Sequence, residues 1–180
     1  MKKIFSAFLT FIPLIGSAQE IYTTKSTNIE FYSFAEIEDI KAVNTSSASL
    51  INTSTREISI EIPNNAFIFR NKKMELDFNE NFMESEKYTR SVFNGKISGN
   101  FDLKKDGTYK ATAKGKLNIH GVEKERTLEG NVTIKKSEIE VNTKFYVAMK
   151  DHNIKIPSVV GHHIADSVLV TVKMSYVPKK

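Results

Sequence analysis

The chain contains no cysteine, and that absence removes three kinds of protein at once. No disulfide framework can staple it, no thiol can act as a nucleophile, and no thiol can carry a lipid after an N-terminal apolar stretch. Other signatures are missing too. There is no GxSxG elbow, no HExxH pair and no phosphate-cradling glycine loop. The neighbouring carboxylates Glu84 and Glu86 sit in a charged segment that reads as solvated surface. Catalysis finds no foothold, so the chain is read as a protein that is not an enzyme and that needs no cofactor. Internal repeats, low-complexity tracts and linkers rich in proline, glycine or serine are also absent, which leaves a single domain. The longest apolar run, Ile4 to Ile15, is too short to span a bilayer as a helix.

That run follows Met1, Lys2 and Lys3 and precedes the small residues Gly16, Ser17 and Ala18, the layout of a cleavable secretory signal. Residues 1–18 are therefore expected to be removed, with residues 19–180 forming one periplasmic or secreted domain. About 160 residues are enough for one well-buried core and too few for two. The formal charge of +5 drops to about +3 without Lys2 and Lys3. Lys72-Lys73, Lys104-Lys105 and Lys135-Lys136 each lie near Asp or Glu, the pattern of a solvated face. Nucleic acid is not a supported partner. Transient contact with an anionic membrane surface is compatible with this charge. The sequence sets no oligomeric state, a dimer included.

Strand signals dominate. Ile29 and Phe31 alternate with Glu30 and Tyr32, and Ile58, Ile60 and Ile62 alternate with polar residues until Pro63. Asn52 to Thr55 reads as a turn, and Asp106-Gly107 as a tight hairpin turn. Further alternating runs start at Phe93, Tyr109, Leu128, Val141 and Val168. Short strands joined by hairpins predict an all-β barrel or sandwich, and we expect an antiparallel barrel of about eight strands. Met74, Phe78 and Phe82, spaced by four, predict a helix over Asn71–Phe82 that lays an apolar stripe on the barrel. A second short helix is expected at Pro157–Ala165.

One feature is unusual for a strand. Tyr109, Ala111, Ala113, Gly115, Leu117 and Ile119 share a face, and the centre of that face is Ala, Ala, Gly, where a buried strand normally carries bulk. Gly95, Gly99 and Gly130 repeat the pattern on neighbouring strands. Two readings stand at this point: close packing or tight curling of the sheet, or an interior left open for something other than protein.

The run DFNENFMESEKY, the phenylalanine and glycine of SVFNGKI, the turn GKLNIHG and the later DHNIKIP occur in that order. Together they make the chain, from about Ile29 to Tyr176, similar to the YceI-like family of secreted bacterial lipid-binding proteins. The resemblance implies an extended lipocalin-like barrel holding a long polyisoprenoid, or a similar quinone-like lipid, inside. It favours the open interior and a carrier or sequestering role. An envelope protein with a packed interior, or an enzyme acting on the bound lipid, are the alternatives. His152 departs from the family pattern, which usually has an aromatic residue after the aspartate.

On this reading the cavity wall is expected to combine large and small residues. Phe67, Phe69, Phe78 and Phe93 supply aromatic surface, together with Phe101, Tyr109 and Phe145, which could line a tunnel. Gly95, Ala111 and Ala113 leave the space, and Ile97, Leu117, Val147, Ile154 and Val170 complete the wall. Arg70, Lys72, Lys150 and Lys155, near predicted strand ends, are head-group candidates. His152, His162 and His163 with Asp151 and Asp166 could be drawn as a metal cluster. Adjacent histidines on a strand point to opposite sides, however, and no metal site is expected. His120, beside a turn glycine, is expected to serve at the surface or in stabilising the turn.

Overall fold

In the computed structural model, which describes residues 21–35, 39–156 and 165–179, the period-two pattern becomes ten strands. They are β1 (Ile21–Ser33), β2 (Ile40–Asn44), β3 (Ala48–Asn52), β4 (Glu57–Pro63), β5 (Ile68–Phe69), β6 (Arg90–Ser98), β7 (Gly107–Ile119), β8 (Val122–Lys135), β9 (Glu138–Ala148) and β10 (Ser167–Pro178). All pairings are antiparallel. Eight strands close a barrel in the order β1-β3-β4-β6-β7-β8-β9-β10, and β10 returns to β1. Closure removes the unpaired edges that would otherwise invite aggregation. The expected signal segment and the expected helix at Pro157–Ala165 fall largely on residues 1–20 and 157–164, outside the described residues.

β1 is the hinge of this topology. Along one edge it pairs with β10 for nearly its whole length, with a bulge between Thr24 and Ser26. Along the other it forks: Ile21–Thr23 pair with β3, and Ile29–Ser33 pair with β2, which carries β5 on its outer side. The fork is stitched by side chains. The Ser49 amide donates to Thr24 Oγ1 (2.6 Å), whose hydroxyl donates to the Ser49 carbonyl (2.9 Å). Asn44, fully buried, donates to the Pro63 carbonyl (2.8 Å) and accepts from the Ser46 amide and the Ser47 hydroxyl. A buried polar group in this position is tolerated because both its amide nitrogen and its side-chain oxygen are hydrogen-bonded.

The turns follow local chemistry. Asn52 accepts from the Ser54 and Thr55 amides, as a turn-initiating asparagine does. His120 and Gly121 both have positive φ and join the paired Ile119 and Val122, a two-residue hairpin. The expected tight turn at Asp106-Gly107 is instead the end of a longer connection. The Lys105 amide donates to the Asp102 carbonyl (3.1 Å), Gly107 already belongs to β7, and the Asp106 carboxylate accepts from the Lys136 amide (3.0 Å). Asp106 therefore ties two neighbouring loops together.

The predicted helix exists. α1 (Lys72–Asp77) is capped by Asn71, whose side chain accepts from the Lys73 amide (2.9 Å), and continues as a π-helical turn over Phe78–Phe82. A helix this short has no stability of its own in water. It is held by Met74 and Phe78, which pack on the core. No helix among the described residues is long and apolar enough to cross a membrane.

Candidate functional site

Beneath that helix lies a cavity of about 610 Å³, within the usual range for small-molecule sites. Five of the barrel strands bring apolar residues to it: Ile29 and Phe31 from β1, Ile62 from β4, Leu117 and Ile119 from β7, Phe145 and Val147 from β9, and Val168 and Val170 from β10. α1 and its π turn add Met74, Phe78 and Phe82 as a lid, with Met83 behind them. Phe31, Phe67, Phe69 and Phe78 form one aromatic cluster along the side, with ring centroids 5.1 to 5.6 Å apart. Each such contact adds about 0.5 to 1.5 kcal/mol beyond burial, which makes the lid-side wall rigid.

The few polar groups on the wall are already engaged. Asn64 is fully buried; its amide nitrogen donates to the Tyr88 carbonyl (2.6 Å), its backbone N–H to the Thr89 carbonyl (3.0 Å), and its side-chain oxygen accepts from the Ser91 hydroxyl (2.8 Å). At the rim the Lys73 ammonium pairs with Asp77 (2.8 Å). Such a surface offers an apolar guest dispersion and burial, with little directional bonding. Nothing in it resembles a nucleophile held by a base.

Of the fifteen expected wall residues, Phe67, Phe69, Phe78, Leu117, Phe145, Val147, Ile154 and Val170 line this cavity. Phe93, Gly95, Ile97, Phe101, Tyr109, Ala111 and Ala113 do not. They belong to the rest of the barrel, where the chain fills its own space. A Cβ built on Gly95 would meet the Phe93 ring at 2.8 Å and the Lys114 carbonyl at 2.8 Å. The Phe93 ring thus occupies the hollow above Gly95, as Phe101 does beside Gly99 and Tyr109 beside Gly107. At Gly115 a Cβ would lie 2.2 Å from the Asn94 carbonyl and 2.4 Å from the Gly95 Cα. At Gly95 and Gly115 the small residues let strands β6 and β7 approach closely, as the close-packing reading of these glycines expects. Ile97 and Phe101 border a crevice of about 20 Å³ at the opposite end.

None of the four head-group candidates lines the cavity. Arg70, Lys72, Lys150 and Lys155 are exposed, and Lys72 pairs with Glu75 one turn along the helix. The lysine that reaches the cavity is Lys73, which lies one residue further along the helix. Sequence reasoning also left Ile29, Phe31, Ile119, Met74, Phe82 and Val168 out of the wall. Their signal was present in the alternation of β1 and the spacing of the helix, but it looked like ordinary core.

His152 is fully enclosed, with Nδ1 3.0 Å from the Val122 carbonyl and Nε2 without a partner, and it does not line the cavity. Burial pushes its pKa below the usual histidine value, against the backbone hydrogen bonds that raise it. The neutral ring therefore serves as packing in place of the aromatic residue that the resemblance leads one to expect. His162 and His163 lie outside the described residues, and no group of metal-ligating side chains occurs among the described ones. His120 does stabilise its turn, but from a buried position. Its Nε2 meets Glu84 (2.9 Å), its Nδ1 lies 3.2 Å from the His152 carbonyl, and its ring packs on Tyr88.

The wall is also interrupted between β8 and β9. The ladder between β8 and β9 stops at Gly130 and Thr143, although β8 extends back to Val122 and β9 on to Ala148. Side chains bridge the gap. The Arg126 guanidinium donates to the Tyr146 carbonyl (2.6 Å), and Thr143 donates to the Glu129 carbonyl (2.6 Å).

Comparison with known proteins agrees with this architecture. The sequence profile of a family described as YceI-like domain matches residues 20–176. No curated protein matches the chain. Among solved structures, a polyisoprenoid binding domain from Saccharophagus degradans, implicated in plant cell wall breakdown, superimposes with a TM-score of 0.75 at 14% identity, covering 88% of this chain and 98% of that one. BcnA of Burkholderia cenocepacia gives 0.70 at 12% identity, covering 83% and 95%. A Campylobacter jejuni YCEI protein gives 0.54 at 13% identity, covering 100% and 99%. At such identities these likenesses speak to the fold.

Proposed function

From the premise that this chain belongs to the family of YceI-like domains, we propose that it binds a polyisoprenoid or similar long-chain apolar lipid in the capped cavity and acts as an exported carrier or sequestering protein. The observation that carries the reading is the hollow of about 610 Å³ walled by aliphatic and aromatic side chains under a short helical lid. The name of the Saccharophagus degradans neighbour points to the same ligand class. Each buried methylene is worth roughly 0.8 kcal/mol, so a tail of several isoprene units outweighs an association cost of roughly 4 to 15 kcal/mol. The satisfied polar groups on the wall make the selection depend on the shape and length of the tail. The layout of residues 1–18 supports export before the barrel folds.

Organic-solvent extraction of the purified protein followed by mass spectrometry tests the ligand. A stoichiometric long-chain lipid, recovered chemically unaltered after incubation, is the expected result. No extractable lipid together with no uptake of an apolar fluorescent probe would leave a partner-binding barrel, and chemically altered lipid would leave an enzyme. Cell fractionation with and without residues 1–18 checks the exported location.

A further inference from the structure

The barrel has one hollow end and one filled end, and the boundary between them falls at a definable layer. The cavity wall reaches down to Ile29 and Leu117. In the same layer as Leu117, Phe93 of β6 pairs with Ile60 on one side and Leu117 on the other, is 3% exposed, and leans its ring away from the cavity over Gly95. Beyond it Val132, Ile134, Ile139, Met174 and Tyr176 are each buried, and none of them lines the cavity. The far end is closed in turn by Arg56, whose guanidinium lies over the Phe101 ring at 4.7 Å and donates to the Gly99 carbonyl (2.8 Å). An apolar chain entering beneath the helix therefore meets a floor and cannot thread the barrel.

Building on the lipid-binding reading, we propose that this floor makes the barrel a length gauge, matched to an isoprenoid tail of about four units. A tail carbon with its hydrogens displaces about as much volume as a water molecule, roughly 30 Å³, so about 610 Å³, open to solvent at its mouth, takes up to about twenty carbons. Units up to that number exchange water for the apolar wall. Units beyond it stay outside, at the rim near Lys73 and Asp77 or against solvent, and gain little. The favoured ligand class is a short isoprenoid tail on a head group that remains outside the cavity. Longer tails are held by only part of their length.

The test is a binding series of isoprenoid alcohols from about two to about nine units, with the purified protein and a displaceable fluorescent probe. Affinity is expected to rise about tenfold or more per unit up to about the fourth, and less than about twofold per unit thereafter. A steady rise across the whole series, or a plateau already at the second unit, would overturn the gauge while leaving lipid binding intact. Failure of every member to bind a folded protein, judged by circular dichroism, would remove the lipid-binding reading and the gauge with it. Two variants locate the floor. Phe93→Leu is expected to move the break about one unit longer, and Val170→Phe, which intrudes from the wall, about one unit shorter. If both fold, by thermal melting, and neither moves the break, the floor assignment is wrong.

Discussion

The two ends of this barrel are built from the same strands with the same alternation, yet one is hollow and the other solid. In the solid end, glycines at 95 and 115 face each other across β6 and β7; the Phe93 ring folds over Gly95, and the backbone of β6 lies against Gly115. In the hollow end the inward residues are large, but Phe31, Phe67, Phe69 and Phe78 gather as a cluster beside a cavity of about 610 Å³. Bulk at the wall positions does not therefore decide whether an interior is filled. What decides it is how closely the strands approach and which way the rings lean.

The sharpest way to break the comparison is Gly115→Val. Its new side chain would start 2.2 Å from one backbone oxygen and 2.4 Å from a backbone carbon, neither able to step aside alone. We expect a loss of about 3 kcal/mol or more, or failure to fold, by urea denaturation. Second comes a matched pair of truncations. Phe93→Ala in the solid end should cost about 3 to 5 kcal/mol. Phe78→Ala in the hollow end should cost about 1 to 2 kcal/mol, because its ring is only partly buried and already borders a void. Equal losses would show that the two ends are packed alike.

Smaller effects probe the places where side chains substitute for the ladder. Arg126→Met removes the guanidinium bridge between β8 and β9. It is expected to lower stability by about 1 kcal/mol and to speed hydrogen exchange in Val122–Glu129 along the β8 edge that has no ladder to β9, with β4 and β6 unchanged. The smallest effect concerns pH. His152 has a depressed pKa when folded, so below the ordinary histidine value of about 6.5 the unfolded chain takes up a proton that the folded one refuses. Its contribution is whole above that value and is lost as pH falls through the window beneath it. His152→Phe should flatten that part of the melting-temperature profile between neutral and mildly acidic pH. An unchanged slope would mean that another group carries it.

Much of this was legible in the residues. Alternation marked the barrel strands, and the spacing of Met74, Phe78 and Phe82 after Asn71 marked the helix and its cap. Four motifs in order marked the family, which the match over residues 20–176 bears out. The aromatic wall residues Phe67, Phe69, Phe78 and Phe145 were readable as inward-facing and large. The meaning of the small residues was not readable. A glycine in a strand leaves the same trace whether a ligand, a neighbouring backbone or a ring occupies its space. Asn64 and His152 were equally silent, since the burial of a polar side chain depends on partners such as Tyr88, Ser91 and Val122 that are distant in the chain.

Taken alone, the amino-acid order determined that this chain makes a cysteine-free antiparallel barrel with a helical insertion, because side-chain period and capping act over a few neighbouring residues. Only the tertiary structure decided where the interior stays open and which lysine stands at its rim. Those outcomes depend on the separation of strands brought together from far along the chain and on the direction each ring takes to fill the gap between them.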